Sequence, residues 1–227
     1  MNKIKVIVTG ATGMVGEGVM HECLNHPLVK QVLIINRKPS GHSHPKLKEI
    51  VHTDFYDLSP IADQLIGYDA CYFCLGVSSV GMKEPEYYKL TYTLTMHFAE
   101  TLVKQNAAME FCYISGANTD SSEKGSSMWA RVKGKTENDL LTLPFKSVYN
   151  FRPGGMKPTK GLKNTLPYYK YFIWLYPFLR KFFPKTVSTL AELGQAMINS
   201  TLIGYDKHVL EVLDIVKLAG ESRPDLS

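Results

Sequence analysis

Residues 9–16 of this 227-residue chain read Thr-Gly-Ala-Thr-Gly-Met-Val-Gly, directly after the apolar, β-branched run Ile4–Val8. Such a run predicts a short buried strand. Gly10 allows a tight turn, Gly13 lets a ligand approach the backbone, and Gly16 lets a following helix pack closely on the strand. A strand that passes through three glycines at this spacing into a helix predicts a binding site for the pyrophosphate of a dinucleotide.

The rest of the chain alternates between strand and helix patterns. Further strands are predicted at Val32–Ile35, Ile50–Thr53, Ala70–Leu75, Phe111–Ile114 and Ser147–Phe151, and longer helices at 85–106, 129–143 and 188–201. This alternation predicts an α/β fold, a doubly wound parallel sheet of the Rossmann type with helices on both faces. We expect residues 1–157 to form the NAD(P)-binding core. Residues 158–227 should form a small helical C-terminal elaboration, a substrate or lid region packed on the same domain.

The composition limits the class of protein. Hydrophobic residues make up 44% of the chain, which is enough for one substantial core. The net charge of +5 is modest, and we interpret the excess cationic residues as scattered along the chain. We therefore expect no nucleic-acid partner. Four cysteines are too few for a disulfide scaffold, and the first apolar run is too short for a signal sequence, so we expect a cytoplasmic protein. His42 and His44 lack accompanying carboxylate or cysteine ligands, and we expect no metal site.

The end of the second predicted strand indicates which cofactor is used. It reads Asn36-Arg37-Lys38, with two cations and no carboxylate. A carboxylate at this point would accept hydrogen bonds from the adenosine ribose of NAD, whereas arginine and lysine suit the 2′-phosphate of NADP. We therefore favour NADP over NAD. The alternative is that both cations are solvated loop charges.

Other strand ends should face the same crevice, because ligands bind beyond the carboxyl ends of parallel strands. We expect Asp54 to meet the adenine through a hydrogen bond and Phe55 to meet it through a stacked ring. Gly76 should leave room beneath the adenosine ribose and pyrophosphate. The cofactor-binding residues predicted in this way are Gly10, Thr12, Gly13, Met14, Val15, Gly16, Asn36, Arg37, Lys38, Asp54, Phe55, Leu75, Gly76 and Val77.

Several segments together resemble one superfamily. They are Thr9–Gly13, Asn36–Lys38, Cys74–Gly76, Ser115, Val132–Lys135 and Phe151–Gly154. On these residues the chain resembles the short-chain dehydrogenase/reductase superfamily over residues 4–157. It is most similar to the atypical branch of that superfamily, with its TIP30 (CC3) oxidoreductase-like and NmrA-like proteins. The resemblance adds Lys133, Pro153 and Gly154 to the expected cofactor-binding residues.

The resemblance also implies a catalytic serine, tyrosine and lysine, of which this chain keeps two. Ser115 matches the serine that orients the substrate, and Lys133 matches the lysine that holds the nicotinamide ribose. The tyrosine position, four residues before the lysine, is Trp129. An indole N–H can donate a hydrogen bond but cannot exchange a proton near neutral pH. Water or a nearby tyrosine would then have to supply the proton.

Two functions are consistent with these residues, and Trp129 separates them. The first is an NADP-dependent oxidoreductase with a non-standard active site that acts on an unknown carbonyl substrate. The alternative is a non-catalytic NADP(H)-binding redox sensor that reports to a partner protein. A sugar-nucleotide epimerase is a weaker third hypothesis, because such chains are usually longer and keep the tyrosine.

Residues 166–184 carry nine aromatic side chains, interrupted by Lys170, Pro177, Arg180 and Lys181. These interruptions argue against a transmembrane span. We favour a lid or wall over the crevice, and the alternative is an amphipathic helix in contact with a membrane surface. If the aromatic side chains are exposed, we expect them to form an association surface. The sequence leaves the oligomeric state open.

Overall fold

The computed structural model describes residues 3–165 and 173–221. The aromatic segment 166–172 and the residues from 222 onward lie outside the described residues. The strands are β1 (Ile4–Thr9), β2 (Val29–Asn36), β3 (Leu47–Val51), β4 (Ala70–Phe73), β5 (Glu110–Ile114), β6 (Ser147–Arg152), β7 (Gly155–Lys157), β8 (Val187–Thr189) and β9 (Val209–Glu211).

The helices are α1 (Met14–Asn25), α2 (Glu84–Tyr88), α3 (Leu94–Gln105), α4 (Met128–Leu140), α5 (Tyr176–Phe182), α6 (Leu190–Ile203) and α7 (Val212–Gly220). A π-helical turn, Lys89–Thr93, joins α2 to α3, so these elements form one continuous helical segment. Shorter 3-10 helices span Ser59–Leu65 and Ile173–Leu175.

Seven of the strands form one sheet in the order β3-β2-β1-β4-β5-β6-β9, and every pairing is parallel. The strand order reverses between β1 and β4. At such a switch point the connections leave in opposite directions and open a crevice beyond the carboxyl ends of the strands. The predicted doubly wound parallel sheet of the Rossmann type is confirmed.

Helices cover both faces of the sheet, so its central strands are buried on both sides. On β1, Val6 and Val8 point toward α1, α6 and α7, whereas Ile7 points toward α3 and α4. None of these three side chains is exposed to solvent. Because successive residues of a strand face opposite sides, burial of both faces requires a nearly continuous apolar run, as the sequence has here.

The C-terminal third contains β-structure that the sequence pattern did not predict. β9 pairs with β6 and extends the main sheet, and β7 pairs with β8 in a separate two-stranded sheet. Strands of three residues are too short to leave a periodic pattern. The helix predicted at 188–201 is α6, and it begins at Leu190 because Thr189 and Glu192 form a capping box.

One buried carboxylate lies at the amino ends of the strands, opposite the crevice. Glu110 at the start of β5 is 2% exposed, and its Oε2 lies 3.6 Å from Lys146 Nζ. Burial raises the pKa of Glu110 to about 7, because the loss of water disfavours the charged carboxylate more than Lys146 favours it. The folded protein therefore binds this proton more tightly than the unfolded chain does.

We predict that Glu110 makes the fold less stable as the pH rises. The stability that the neutral Glu110 carboxyl contributes is fully present below its ordinary pKa of 4.5. This stability is lost as the pH rises through about 7. Above that pH, the unfolding free energy should be lower by about 3 kcal/mol. Glu110→Gln should remove this pH dependence and be the more stable protein at about pH 8. Urea unfolding of both proteins at about pH 5 and about pH 8 measures it, and equal slopes with pH would contradict the prediction.

Candidate dinucleotide-binding and active site

The glycine turn after β1 is closed by direct backbone contacts. Gly10 has a φ of +68°, in the left-handed region, and a Cβ there would lie 2.7 Å from the carbonyl oxygen of Cys74. The Gly13 N–H donates to the Gly10 carbonyl at 2.9 Å. A Cβ on Gly16 would overlap that same carbonyl oxygen. Only glycine fits at positions 10 and 16, and the turn brings β1, α1 and the end of β4 together.

The open side of this turn fits a phosphate group. Gly13 is the N-cap of α1, and no side chain caps the helix there. The first N–H groups of a helix carry partial positive charge and need acceptors, which an anion can supply. Thr12 and Gly13 are exposed, and a Cβ on Gly13 would meet no atom closer than 3.4 Å. Met14 and Val15 follow as half-buried residues of the first helical turn.

A cleft of about 130 Å³ lies beyond the carboxyl ends of β2, β3 and β4. A Cβ on Gly76 would contact nothing within 4 Å, so the floor of the cleft stays open. Six of the predicted cofactor residues line this cleft together: Arg37, Asp54, Phe55, Leu75, Gly76 and Val77. Further lining comes from Thr53, Tyr56, Leu90 and Leu94.

Phe55 is placed differently from the expectation that its ring stacks freely on an adenine. The ring is only 5% exposed and is stacked on Phe98 of α3, with 6.0 Å between the centroids. Part of its surface therefore belongs to the core. The neighbouring Asp54 is exposed, and its Oδ1 accepts a hydrogen bond from the Tyr56 N–H at 2.8 Å.

A carboxylate on β3 reaches the end of β2, which the sequence pattern did not reveal. Asn36 is buried and donates from Nδ2 to Glu49 Oε1 at 2.9 Å, and the same oxygen accepts from the Ser40 N–H at 2.8 Å. These hydrogen bonds hold the pKa of Glu49 below its usual range. Asn36 thus fixes the loop rather than facing the crevice. Arg37 and Lys38 are exposed, and only Arg37 lines the cleft.

Lys133 and Ser115 come together at the carboxyl end of β5. Lys133 is half-buried on α4 and donates from Nζ to the carbonyl oxygens of Ser115 and, at 3.4 Å, Ile114. Burial lowers the pKa of Lys133 to about 8, and the Glu137 carboxylate one turn further along α4 opposes this shift. A lysine with this pKa can both donate and accept a proton near neutral pH.

The Ser115 hydroxyl belongs to a buried ionic network. It donates to Glu137 Oε1, with the Phe151 carbonyl as a second acceptor at 3.2 Å. Arg152 at the end of β6 donates to both oxygens of Glu137, from Nε at 2.9 Å and from a terminal nitrogen. Its other terminal nitrogen reaches Glu211 at 3.1 Å. Glu137 is 1% exposed, so this carboxylate fixes Ser115 and β6 together.

Trp129 lies on α4 one turn before Lys133, on the same helix face. It is half-buried. Three of the tyrosines that could replace it as proton donors are otherwise engaged. Tyr113 and Tyr87 are at most 2% exposed, and burial raises the pKa of each. Tyr92 donates to Asp139 at 2.5 Å.

A second, more open cleft of about 520 Å³ lies beside Ser115, beyond β5 and β6. Asn118, Pro153, Gly154, Lys185 and Glu211 are among its lining residues. The Pro153 carbonyl accepts from the Ala117 N–H at 3.0 Å, and a Cβ on Gly154 would overlap the Thr186 carbonyl. Pro153 and Gly154 therefore shape the wall through their backbones.

Comparison with protein families agrees with this arrangement. The model of the NAD dependent epimerase/dehydratase family matches residues 6–145, which is more than half of the chain. The chain belongs to this family. The resemblance to the short-chain dehydrogenase/reductase superfamily, drawn from the sequence motifs, is confirmed.

Individual proteins match this chain at low sequence identity. "Protein FMP52, mitochondrial" from Candida albicans is 25% identical over 173 residues, which cover 72% of this chain and 73% of that protein. Protein HTATIP2 from Rattus norvegicus is 26% identical over 156 residues, and the match spans 68% of this chain and 63% of HTATIP2. The Bordetella bronchiseptica enzyme WbmF, solved in complex with NAD+, superposes with a TM-score of 0.65 at 15% identity. That superposition covers 96% of this chain and 76% of WbmF, and it shows the fold.

We predict that Glu137→Gln lowers the unfolding free energy by about 3 kcal/mol, because it leaves the buried Arg152 cation without its main counter-charge. Glu84→Gln is the matched control. Glu84 pairs with Arg131 at 2.7 Å, but its side chain is 49% exposed, so its loss should cost under about 1 kcal/mol. Urea unfolding measures both variants. Equal losses in the two variants would contradict a dominant role for the buried pair.

Proposed function

We propose that this chain is an NADP(H)-dependent oxidoreductase that acts on a carbonyl substrate. The proposal rests on one observation, which is that three parts of the site lie at the same edge of the sheet. The glycine turn, the cleft lined by Arg37 and the Lys133 ammonium all lie at the carboxyl ends of strands of one sheet. The family is NAD dependent by name, and WbmF was solved with NAD+. When bound, the cofactor supplies a hydride, and the protein holds it in place and delivers a proton.

Arg37 supports the choice of NADP over NAD. It lines the adenosine-side cleft, and no carboxylate of residues 3–165 or 173–221 pairs with it. Glu49 on β3, which faces the end of β2, already accepts hydrogen bonds from Asn36 and Ser40. A guanidinium without a carboxylate partner at this point suits the two negative charges of a 2′-phosphate.

We predict that Arg37→Glu weakens NADPH binding by about tenfold or more and changes NADH binding much less. Lys30→Glu is the matched control, because Lys30 is exposed at the amino end of the same strand, away from the cleft. Titration of each cofactor against each protein, followed by nicotinamide fluorescence, measures the effect. Equal weakening of NADPH and NADH by Arg37→Glu would refute the 2′-phosphate role.

Lys133 is the group best placed to handle the proton. Its pKa of about 8 leaves it mostly charged at neutral pH yet able to release a proton. The Ser115 hydroxyl is already committed to Glu137 and Phe151, so we assign it the role of fixing the strand end. In this proposal Lys133 delivers the proton to the carbonyl oxygen, directly or through one water. The Trp129 indole N–H then orients that oxygen.

We predict that carbonyl reduction by the wild-type protein falls as the pH rises through about 8, because the reaction consumes the Lys133 ammonium form. Lys133→Met should reduce turnover by about a hundredfold or more. Lys133→Arg, which stays charged, should bind NADPH but move the fall in rate to higher pH. The measurement is the loss of NADPH absorbance over a panel of aldehydes and ketones. An unchanged pH profile in Lys133→Arg would rule out Lys133 as the proton donor.

A non-catalytic NADP(H)-binding redox sensor is the second candidate, favoured by two observations. The Ser115 hydroxyl is engaged in the buried network, and Trp129 has no titratable proton. Trp129→Tyr separates the candidates. A variant that turns over carbonyl compounds when the wild type does not supports the sensor. Wild-type turnover that Lys133→Met abolishes supports the oxidoreductase. Failure of the wild type to bind NADPH contradicts both.

A further inference from the structure

The 3-10 helix Ile173–Leu175, α5 and the residues just after it present a large apolar surface to solvent. No side chain of α5 is buried. The aromatic residues of this surface, and their exposed fractions, are Trp174 (73%), Phe178 (53%), Phe182 (57%) and Phe183 (52%). We call these four residues, together with Lys181 and Lys185, the aromatic-cationic patch. An apolar surface of this size on a folded protein usually has a binding partner.

The three phenylalanines of the patch lie together, and α5 is fixed to the body of the protein. The Phe178 ring lies 4.6 Å from the Phe182 ring and 6.4 Å from the Phe183 ring, measured between centroids. On the other side of α5, Arg180 pairs with Glu192 at 2.5 Å and donates to the Val187 carbonyl at 3.0 Å. α5 is thus anchored through its arginine, while the rings of Phe178 and Phe182 are exposed. A lid packed over the crevice would bury these rings instead.

The positive excess of the chain falls within the sequence segment that contains the patch, which corrects the expectation that it is scattered. Within this segment, Lys146, Arg152 and Arg180 pair with acidic residues, whereas Lys181 and Lys185 lie on the patch. Residues 140–191 contain nine of the 26 lysines and arginines and none of the 21 aspartates and glutamates. The rest of the chain therefore has 17 cationic and 21 acidic residues. Lys181 Nζ lies 5.5 Å from the centre of the Phe182 ring, so cation and aromatic surface are presented together.

We propose that the aromatic-cationic patch docks this protein on the surface of an anionic lipid bilayer. Aromatic side chains insert at the level of the lipid headgroups, and flanking lysines are attracted to anionic lipids. A second copy of the chain is a poorer partner, because self-pairing of the patch would bring Lys181 and Lys185 of one copy against the same cations of the other. Within the described residues, no helix is long and apolar enough to cross a bilayer, so docking occurs at the surface.

The docked orientation follows from Lys185. This residue belongs to the patch and also lines the open cleft beside Ser115, which contains Pro153 and Gly154. Docking through the patch therefore brings the mouth of this cleft close to the lipid surface.

The test is sedimentation of the full chain with vesicles. We expect binding to phosphatidylcholine vesicles that contain phosphatidylserine, weaker binding at high salt, and little binding to phosphatidylcholine alone. Lys181→Glu with Lys185→Glu should reduce binding by at least about tenfold. Phe178→Ser with Phe182→Ser should also reduce it. Val80→Ser and Lys30→Glu are the matched controls, because Val80 is 88% exposed and Lys30 is exposed, and both lie outside the patch. The controls should bind like the wild type.

Trp174 provides a second readout. Its emission should shift to the blue on addition of anionic vesicles, and Trp174→Phe should remove the shift although Trp129 remains. Thermal unfolding and NADPH binding establish that each variant is folded. The proposal is overturned if anionic vesicles do not sediment the wild type, or if the patch variants bind as it does. It is also overturned if light scattering shows a dimer that the Phe178→Ser, Phe182→Ser variant loses, or if single-stranded RNA binds the patch in preference to vesicles.

Discussion

The close approach of the Gly10 backbone to two neighbouring segments is the contact on which the rest of the molecule depends. A side chain at Gly10 would overlap the end of β4, and one at Gly16 would overlap the Gly10 carbonyl. The absence of both Cβ atoms lets β1, β4 and α1 meet at the point where the strand order reverses. The same contacts aim the uncapped N-terminus of α1 at the crevice. Fold and phosphate site therefore rest on the same glycines.

A buried carboxylate holds the other half of the crevice. Glu137 bonds Ser115 and Arg152, and Arg152 reaches Glu211 next to α7. The network joins β5, α4, β6 and β9 at their crevice ends. The network also affects the chemistry of the site. The family resemblance assigns Ser115 to the substrate, but its hydroxyl bonds Glu137 and the Phe151 carbonyl instead. In the function that we propose, Lys133 therefore exchanges the proton, and burial lowers its pKa to about 8.

Local signals were enough to predict the sheet, the glycine turn and six of the ten residues that line the cleft beyond β2, β3 and β4. Each of these lies where a strand ends, and strand ends converge in a parallel sheet. The long-range partners could not be predicted. Glu49 reaches Asn36 only because β3 pairs with β2 so that Glu49 lies opposite Ile34. Phe55 packs on Phe98 of a distant helix. The three-residue strand β9 leaves no periodic signal. The stretch 140–191, which contains no acidic residue, is present in the sequence, but the modest net charge of the whole chain does not reveal it.

In the function that we propose, the Gly10 turn and Arg37 together form one NADPH site. A crystal structure of the chain grown with NADPH tests it most directly. We expect the pyrophosphate to lie against the N–H groups of Met14 and Val15, in the first turn of α1, and the 2′-phosphate to lie within hydrogen-bonding distance of the Arg37 guanidinium. A dinucleotide bound with its 2′-phosphate turned away from Arg37, or a crevice that stays empty at saturating NADPH, would contradict it.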